Sequence, residues 1–268
     1  STTPARPAAG ARRQRQRGTD RRALLRLRSR AGQQLRWCAV ALAEPSCSFV
    51  IPVLNEAEQI ADLLHTLRQR FPAAELLVVD GGSDDLTVQR ATPLCDHLLH
   101  SPAGRALQMN RGAREASGDY LFFLHADSVP GVSAARLAAY LERKPLWGFC
   151  RVQLSGDSWS LRVISRFINW RSQLTRVATG DQMQFMSRKC LHRFGGFDEI
   201  PLMEDVALSK RLRRELRPLI IAEPVLTSSR RWQEKGVVST VLQMWALRLG
   251  YALGVSPARL ARIYYGGQ

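Results

Sequence analysis

The sequence predicts an α/β fold with a mostly parallel central sheet flanked by helices. Three observations predict it. Continuous apolar runs, of the kind buried on both faces of a parallel sheet, alternate with segments of helical period. Polar clusters fall where the runs end, at 55–56, 80–85 and 125–128, and open sheets of this class bind ligands at that edge. The chain has 268 residues, 45% hydrophobic and 23% charged, enough for one substantial core. No short unit recurs and glycine and proline follow no period, which excludes solenoid, propeller and collagen-like classes.

The first strand is 47–54 (CSFVIPVL). Asn55 and Glu56 then open a helix in which Ile60, Leu63, Leu64 and Leu67 follow the i, i+3, i+4, i+7 rule, and Phe71-Pro72 ends it. Residues 75–80 (ELLVVD) form a second strand that runs into Gly81-Gly82-Ser83, a turn suited to glycine backbone. A short strand at 97–100, a helix at 105–116 and a strand at 120–124 complete a β-α-β-α-β-α-β pattern. Right-handed crossovers put all these strand C-termini on one edge. Beyond residue 130 the expected elements are a helix at 132–143, a strand at 147–154, a helix at 159–177, a strand at 182–187 and a helix from Glu204. At 237–254, Val241, Leu242, Trp245, Leu249, Ala252 and Leu253 form an apolar stripe interrupted by Arg248, read as a helix docking on the body, with a helix lying on a membrane as the alternative.

Charge is uneven. Residues 1–36 hold eleven arginines against the single acid Asp20, which accounts for ten of the formal +16 and leaves +6 for the other 232 residues. Residues 1–18 lack large apolar side chains and are expected to be disordered. From Arg21, Leu24, Leu25, Leu27, Leu35 and Trp37 interleave with arginines, the pattern of a basic amphipathic helix for peripheral contact with anionic lipid. An Arg-rich, acid-poor leader equally fits import into an organelle. The five cysteines (38, 47, 95, 150 and 190) are odd in number and none has CxxC spacing, as expected of buried thiols in a reduced, cytoplasmic protein. Apolar stretches fall short of the roughly 18 residues a spanning helix needs.

Neither the GxxxxGK[ST] phosphate loop nor a GxGxxG after the first strand is present. Acidic groups occupy the strand ends instead, an arrangement suited to a ribose, a base edge and a divalent cation. Glu204 and Asp205 are adjacent, so on a helix they diverge by about 100°. Taking Leu208, Leu212 and Leu216 as the buried stripe, Asp205 lies about 20° from its centre and Glu204 about 80° away. Asp205 is therefore expected to point inward, with burial raising its pKa toward a general-base value, and Glu204 to cap or orient the helix start.

Four runs in order, 51–56 (IPVLNE), 78–85 (VVDGGSDD), 124–128 (LHADS) and 203–206 (MEDV), resemble the motifs of family-2 glycosyltransferases with the GT-A (nucleotide-diphospho-sugar transferase) fold. The likeness covers residues 47–215, and 227–232 (TSSRRW) with Tyr264 and Tyr265 further resembles a subfamily linked to arsenosugar biosynthesis. The resemblance implies a donor of the UDP or GDP type, an acceptor hydroxyl and inversion at the transferred sugar. It implies that Pro52, Asn55 and Glu56 line the nucleoside pocket and that Asp80, with Gly81, Ser83 and Asp85, lies near the base. It places the catalytic base in the Glu-Asp pair, at Asp205. The family's Asp-x-Asp reads His125-Ala126-Asp127 here, so Asp127 keeps the Mn²⁺ or Mg²⁺ role while His125 supplies no first carboxylate. Arg105 and Gln108, on one face of a helix that starts at the third strand's end, are candidates for the diphosphate. Arg231 and Trp232 resemble the end of the QxxRW signature, with Ser228 in place of the glutamine, and are candidates for the acceptor.

The expected organisation is a basic tail at 1–36 and one GT-A domain at 37–268, with a nucleotide-binding half at 47–130, an acceptor half at 131–232 and C-terminal helices at 233–268. Two alternatives stand beside the transferase. A sugar-phosphate nucleotidyltransferase shares the architecture, but its early GxGTR loop is absent. A basic nucleic-acid-binding protein on an α/β scaffold rests mostly on the arginine tail.

Overall fold

The computed structural model describes residues 2–3, 45–230, 232 and 236–266. The expectations for the tail at 1–36, for Cys38 and for Arg231 lie outside them. The chain divides between Glu44 and Pro45 into two units, and the second carries the sheet and helices described here.

Eight strands form one mixed sheet in the order β3-β2-β1-β4-β7-β6-β8-β5. They are β1 (Cys47–Val53), β2 (Glu75–Asp80), β3 (His97–His100), β4 (Tyr120–Phe123), β5 (Ser128–Pro130), β6 (Trp147–Leu154), β7 (Phe185–Ser187) and β8 (Leu219–Thr227). β1 pairs in parallel with both β2 and β4, β2 with β3, and β6 with β8; β7 runs antiparallel to β4 and β6, and β5 antiparallel to β8. The nine helices of the described residues are α1 (Ile60–Arg70), α2 (Thr87–Ala91), α3 (Arg105–Glu115), α4 (Ala134–Leu141), α5 (Trp159–Thr175), α6 (Arg188–Phe194), α7 (Glu204–Leu212), α8 (Val237–Ala252) and α9 (Pro257–Tyr265). This is the expected α/β class, with the sheet more mixed beyond β4.

Alternation along the strands feeds two cores, one on each sheet face. Phe49, Ile51, Leu76, Val78 and Phe122 pack against Ile60, Leu63, Leu64 and Leu67 of α1. Val50, Leu77, Val79, Leu121 and Phe123 pack against Met109 and Ala113 of α3 and Leu208 and Leu212 of α7. Cross-strand register stacks Phe49, Phe122 and Phe185 into a ladder with ring centroids 5.3 and 5.2 Å apart.

Four details differ from the sequence reading. The first helix begins at Ile60, because Asn55 is left-handed (φ 55) and the Glu56 carbonyl accepts from the N–H groups of Gln59 and Ile60 in a preliminary turn. The strand expected at 182–187 keeps only Phe185–Ser187, since Gly180–Gln182 forms a 3₁₀ turn closed by a Thr179/Gln182 capping box. β8 was hidden by its proline: the ladder with β6 skips from Ile221 to Val225, so Pro224 sits in a bulge that needs no N–H. Finally, the apolar stripe of α8 faces out. Leu242, Trp245, Leu249 and Leu253 are exposed, whereas Thr240 and Leu247 are buried.

Phe122 is the middle rung of the ladder and fully buried. Phe122→Ala should cost about 3–5 kcal/mol in urea unfolding, and Phe122→Leu a smaller part of that.

Candidate active site

The C-terminal ends of β1, β2 and β4 reach one edge, and each strand passes into a polar loop. A cleft of about 730 Å³ opens there, within the range of small-ligand sites. Of the residues singled out by sequence, Pro52, Glu56, Arg105, Gln108, His125, Asp127, Glu204, Asp205 and Trp232 line it.

Asn55, Asp80, Gly81, Ser83 and Asp85 are not among the lining residues; they build the loops beside it. Asp80, buried at the end of β2, accepts from the Gly82 and Ser83 N–H groups at 3.0 and 3.1 Å and from the Ser83 hydroxyl. Burial alone would raise its pKa, but these hydrogen bonds and the nearby His100 hold it below the usual range. The Asn55 N–H donates to Ser83 Oγ at 3.0 Å, and Asn55 Oδ1 accepts from the Asp84 N–H at 3.0 Å, which zips the two loops together. Asp85 accepts from the Ala57 and Thr87 N–H groups and the Thr87 hydroxyl, and its pKa is lowered, chiefly by Thr87. Gln108 donates from Nε2 to the carbonyls of Val53 and Val79 at 2.8 Å each, tying β1 to β2 beneath the cleft.

The carboxylates that remain in the cleft are less satisfied. Glu56 has its pKa raised by burial and then by Asp127, against the pull of Arg230, His125 and Arg105. His125 Nδ1 lies 3.6 Å from Asp181 Oδ1, so residue 181 brings a carboxylate beside the position that lacks one in the 125–127 run. Gly180 makes room for this imidazole: a Cβ there would stand 2.4 Å from His125 Cε1.

Glu204 and Asp205 both line the cleft, which corrects the expectation that one turns away. Met203 is left-handed (φ 71) and α7 starts with its axis end at the cleft, so the first turn presents both side chains there and the wheel angle does not separate them. Glu204 is 5% exposed and makes no cap at the helix start, where the N-cap is Met203 without a side-chain hydrogen bond. Asp205 Oδ2 accepts from the Gly180 N–H at 2.7 Å and Oδ1 from the Val206 N–H at 2.6 Å. Burial, and then the Glu204 charge, still push its pKa well above the ordinary carboxylate range. Behind it, burial pushes Arg171 down to about 10 against the attraction of Asp205, and Arg171 Nε has no hydrogen-bond partner among the described residues.

Sequence reasoning missed several cleft residues. Asp181 and Gly180 come from a 3₁₀ turn far along the chain. Arg248, noted only as an interruption of an apolar stripe, lines the cleft together with Thr240, Met244 and Leu247 of α8; a lone arginine in an apolar helix was the available signal. Desolvation works against the charge of Arg105, but Tyr265, Glu204, Tyr264 and Asp181 more than offset it.

The family model described as glycosyl transferase family 2 matches residues 48–197. The chain belongs to that family. It is 35% identical over 115 residues to a PGL/p-HBAD biosynthesis glycosyltransferase of Mycobacterium bovis, a match taking in 39% of this chain and only 45% of that protein. It is 29% identical over 193 residues to an uncharacterized glycosyltransferase of Mycobacterium tuberculosis, covering 68% of this chain and 71% of the relative. Among solved structures, a mannosyltransferase of Pyrobaculum calidifontis in complex with GDP-Man and Mn²⁺ superposes with a TM-score of 0.53 at 20% identity, over 70% of this chain and 57% of that one. TarS of Staphylococcus aureus (residues 1–349) in complex with UDP gives 0.54 at 17% identity, over 68% of this chain and 60% of that one. The fold of this family-2 glycosyltransferase is therefore GT-A.

Gly180→Ala should displace the His125 ring and cost about 1–3 kcal/mol in thermal unfolding. Adding His125→Ala should recover most of that loss, giving a coupling energy that two independent sites would not show.

Proposed function

We propose that the chain transfers a sugar from a nucleoside-diphosphate sugar, of the UDP or GDP type, to an acceptor hydroxyl with inversion at the anomeric carbon. The observation that carries the reading is convergence: Glu56 and Asp127, the cation Arg105, and the raised-pKa carboxylate Asp205 share one cleft.

Pro52 and Glu56 meet the nucleoside. Asn55, Asp80, Gly81, Ser83 and Asp85 act on it through the loops they hold, and Gln108 through the strand ends it ties. Arg105 pairs with the diphosphate, and His125 with Asp181 faces the donor near Asp127. Trp232 offers an acceptor platform, with Arg231 beside it in sequence.

Among the described residues no group of three or more His, Cys, Asp and Glu has metal-holding geometry. The donor set does fit an ion that arrives with the phosphates, since such ions take one or two protein carboxylates and complete their shell from phosphate and water. Glu56 and Asp127 repel one another, a strain that a cation relieves. Asp127, with Glu56 beside it, would hold Mn²⁺ or Mg²⁺, which supplies charge neutralisation on the diphosphate.

In the transfer step Asp205 accepts the proton of the acceptor hydroxyl. The oxygen forms a bond to the anomeric carbon while the bond from that carbon to the diphosphate oxygen breaks, and the electron pair leaves with the nucleoside diphosphate. The likeness of 227–232, Tyr264 and Tyr265 to the arsenosugar-linked subfamily supports a role in that or another glycoconjugate's synthesis. A nucleic-acid partner is disfavoured by the acid-rich cleft, which repels a phosphate backbone, and a nucleotidyltransferase by the missing glycine loop.

Asp205→Asn should lower kcat by ~10²–10⁴ with donor affinity nearly unchanged. Because the Asp205 pKa is raised, wild-type kcat should fall with acidification at a pH well above the ~4 of an ordinary aspartate. The same shift means the folded state holds this proton more tightly than the unfolded chain. Its stabilising contribution is complete below the unfolded pKa and lost as pH rises through the folded one, so Asp205→Asn should gain melting temperature relative to wild type at alkaline pH. Retained turnover in Asp205→Asn removes the base assignment.

A thermal-shift panel of UDP- and GDP-sugars tests the donor site. Saturating ligand at 100 times Kd stabilises by about 2.7 kcal/mol, and Asp127→Asn should abolish the Mn²⁺-dependent part of that shift. Protection by neither nucleotide type would refute the donor class.

A further inference from the structure

We propose that the outward face of α5 and α8 seats this protein on a membrane surface rich in anionic lipid. This goes beyond the proposed reaction and does not depend on it.

Trp159, Val163, Phe167, Trp170 and Leu174 recur along α5 on a single stripe, and all are exposed. Val238, Leu242, Trp245 and Leu249 do the same along α8, with Leu253 at its C-cap. The two stripes merge. The Phe167 ring stands 6.0 Å from Trp245 and 5.9 Å from Trp170, and exposures of 61% for Trp170, 56% for Trp245 and 76% for Leu253 show how much of this apolar surface is presented to water. Contiguous apolar surface of this kind marks an interaction site.

Charge identifies the partner. α5, α8 and α9 contain no acidic residue, and four of their arginines (162, 166, 259 and 262) are exposed, whereas Arg171 interacts with Asp205 and Arg248 lines the cleft. Arg162 and Arg166 lie on one flank of the α5 stripe, and Arg259 and Arg262 are exposed on α9 beside the exposed Ile263. A second copy docked on this face would set arginines against arginines. The chain's own residues 1–36, with a net +10, carry the same sign. Anionic headgroups complement the arginines, whose long stems let the charge reach out while the apolar side chains enter the acyl boundary, and tryptophan suits that interface. No helix of the described residues is long and apolar enough to cross a membrane, so α8 lies along the surface. Its opposite face, Thr240, Met244, Leu247 and Arg248, lines the cleft, which puts the cleft about one helix diameter, roughly 10 Å, from the lipid.

The test uses the full-length chain and vesicles of equal parts phosphatidylglycerol and phosphatidylcholine, with pure phosphatidylcholine as the comparison. Wild type should pellet with the anionic vesicles, and brominated acyl chains should quench its tryptophan fluorescence. Trp245→Glu/Leu249→Glu should weaken that binding about tenfold or more, the scale expected when two buried apolar side chains are lost. Arg162→Glu/Arg166→Glu should weaken it and flatten its salt dependence. If the apolar variant melts at a lower temperature, Leu253→Glu at the exposed helix end carries the same comparison. Unchanged pelleting of these variants, which would mean that residues 1–36 bind lipid without this face, overturns the proposal. So does a lipid-indifferent chain that sediments as a dimer and is split to monomer by Trp245→Glu/Leu249→Glu.

Discussion

Keeping several carboxylates in one cleft is the constraint that the rest of this structure answers. Glu56, Asp127, Asp181, Glu199, Glu204 and Asp205 all line it, and like charges a few ångströms apart in a partly dry site destabilise one another. The arrangement persists because it is imposed from behind. β1 pairs in the same direction with β2 and β4, so three strand ends and their polar loops arrive at one edge. Cores on both sheet faces hold that edge rigid. The two cores supply the stability that the cleft consumes.

The acidic groups divide by how well their charge is met, and the division separates scaffold from chemistry. Asp80 and Asp85 each accept several local hydrogen bonds, and both are shifted toward the charged form. They are charged, satisfied and occupied. Glu56 and Asp205 are shifted the other way, because burial and a neighbouring carboxylate outweigh what the backbone and the arginines return. The Gly180 and Val206 N–H groups temper this at Asp205 without cancelling it. A carboxylate left short of partners in a water-restricted site is poised to take a proton or meet a cation.

Much of this was legible in the sequence, for identifiable reasons. Parallel strands announce themselves as apolar runs, and a polar cluster after such a run must lie at the ligand edge, so Glu56 and Asp127 could be found by position alone. Helical period put Asp205 nearer the core side of α7 than Glu204, yet Glu204 is buried and Asp205 half-buried, both at the cleft. The same reasoning misplaced Glu204, because a wheel describes the side of a helix and α7 meets the cleft with its end. Asp80 looked identical in sequence to a cleft-facing acid. Only the folded loop shows its oxygens taken up by Gly82 and Ser83. Asp181 and Gly180 reach the site from a distant segment, and nothing local in the sequence records that meeting. β8 escaped notice because a proline reads as a break unless the bulge that accommodates it is known.

α8 shows why period is a better guide to which residues share a face than to where that face points. Hydrophobic patterning places the apolar side inward when the interior is apolar. The inward side of α8 borders a polar cleft, and accordingly carries Thr240 and Arg248 among Met244 and Leu247. That leaves the more uniformly apolar side, with Leu242, Trp245 and Leu249, outermost. Such an inverted helix is costly in water and inexpensive against another apolar medium. The polarity required of the cleft wall thus accounts for the apolar surface on the helix's other side: both follow from one helix serving two environments.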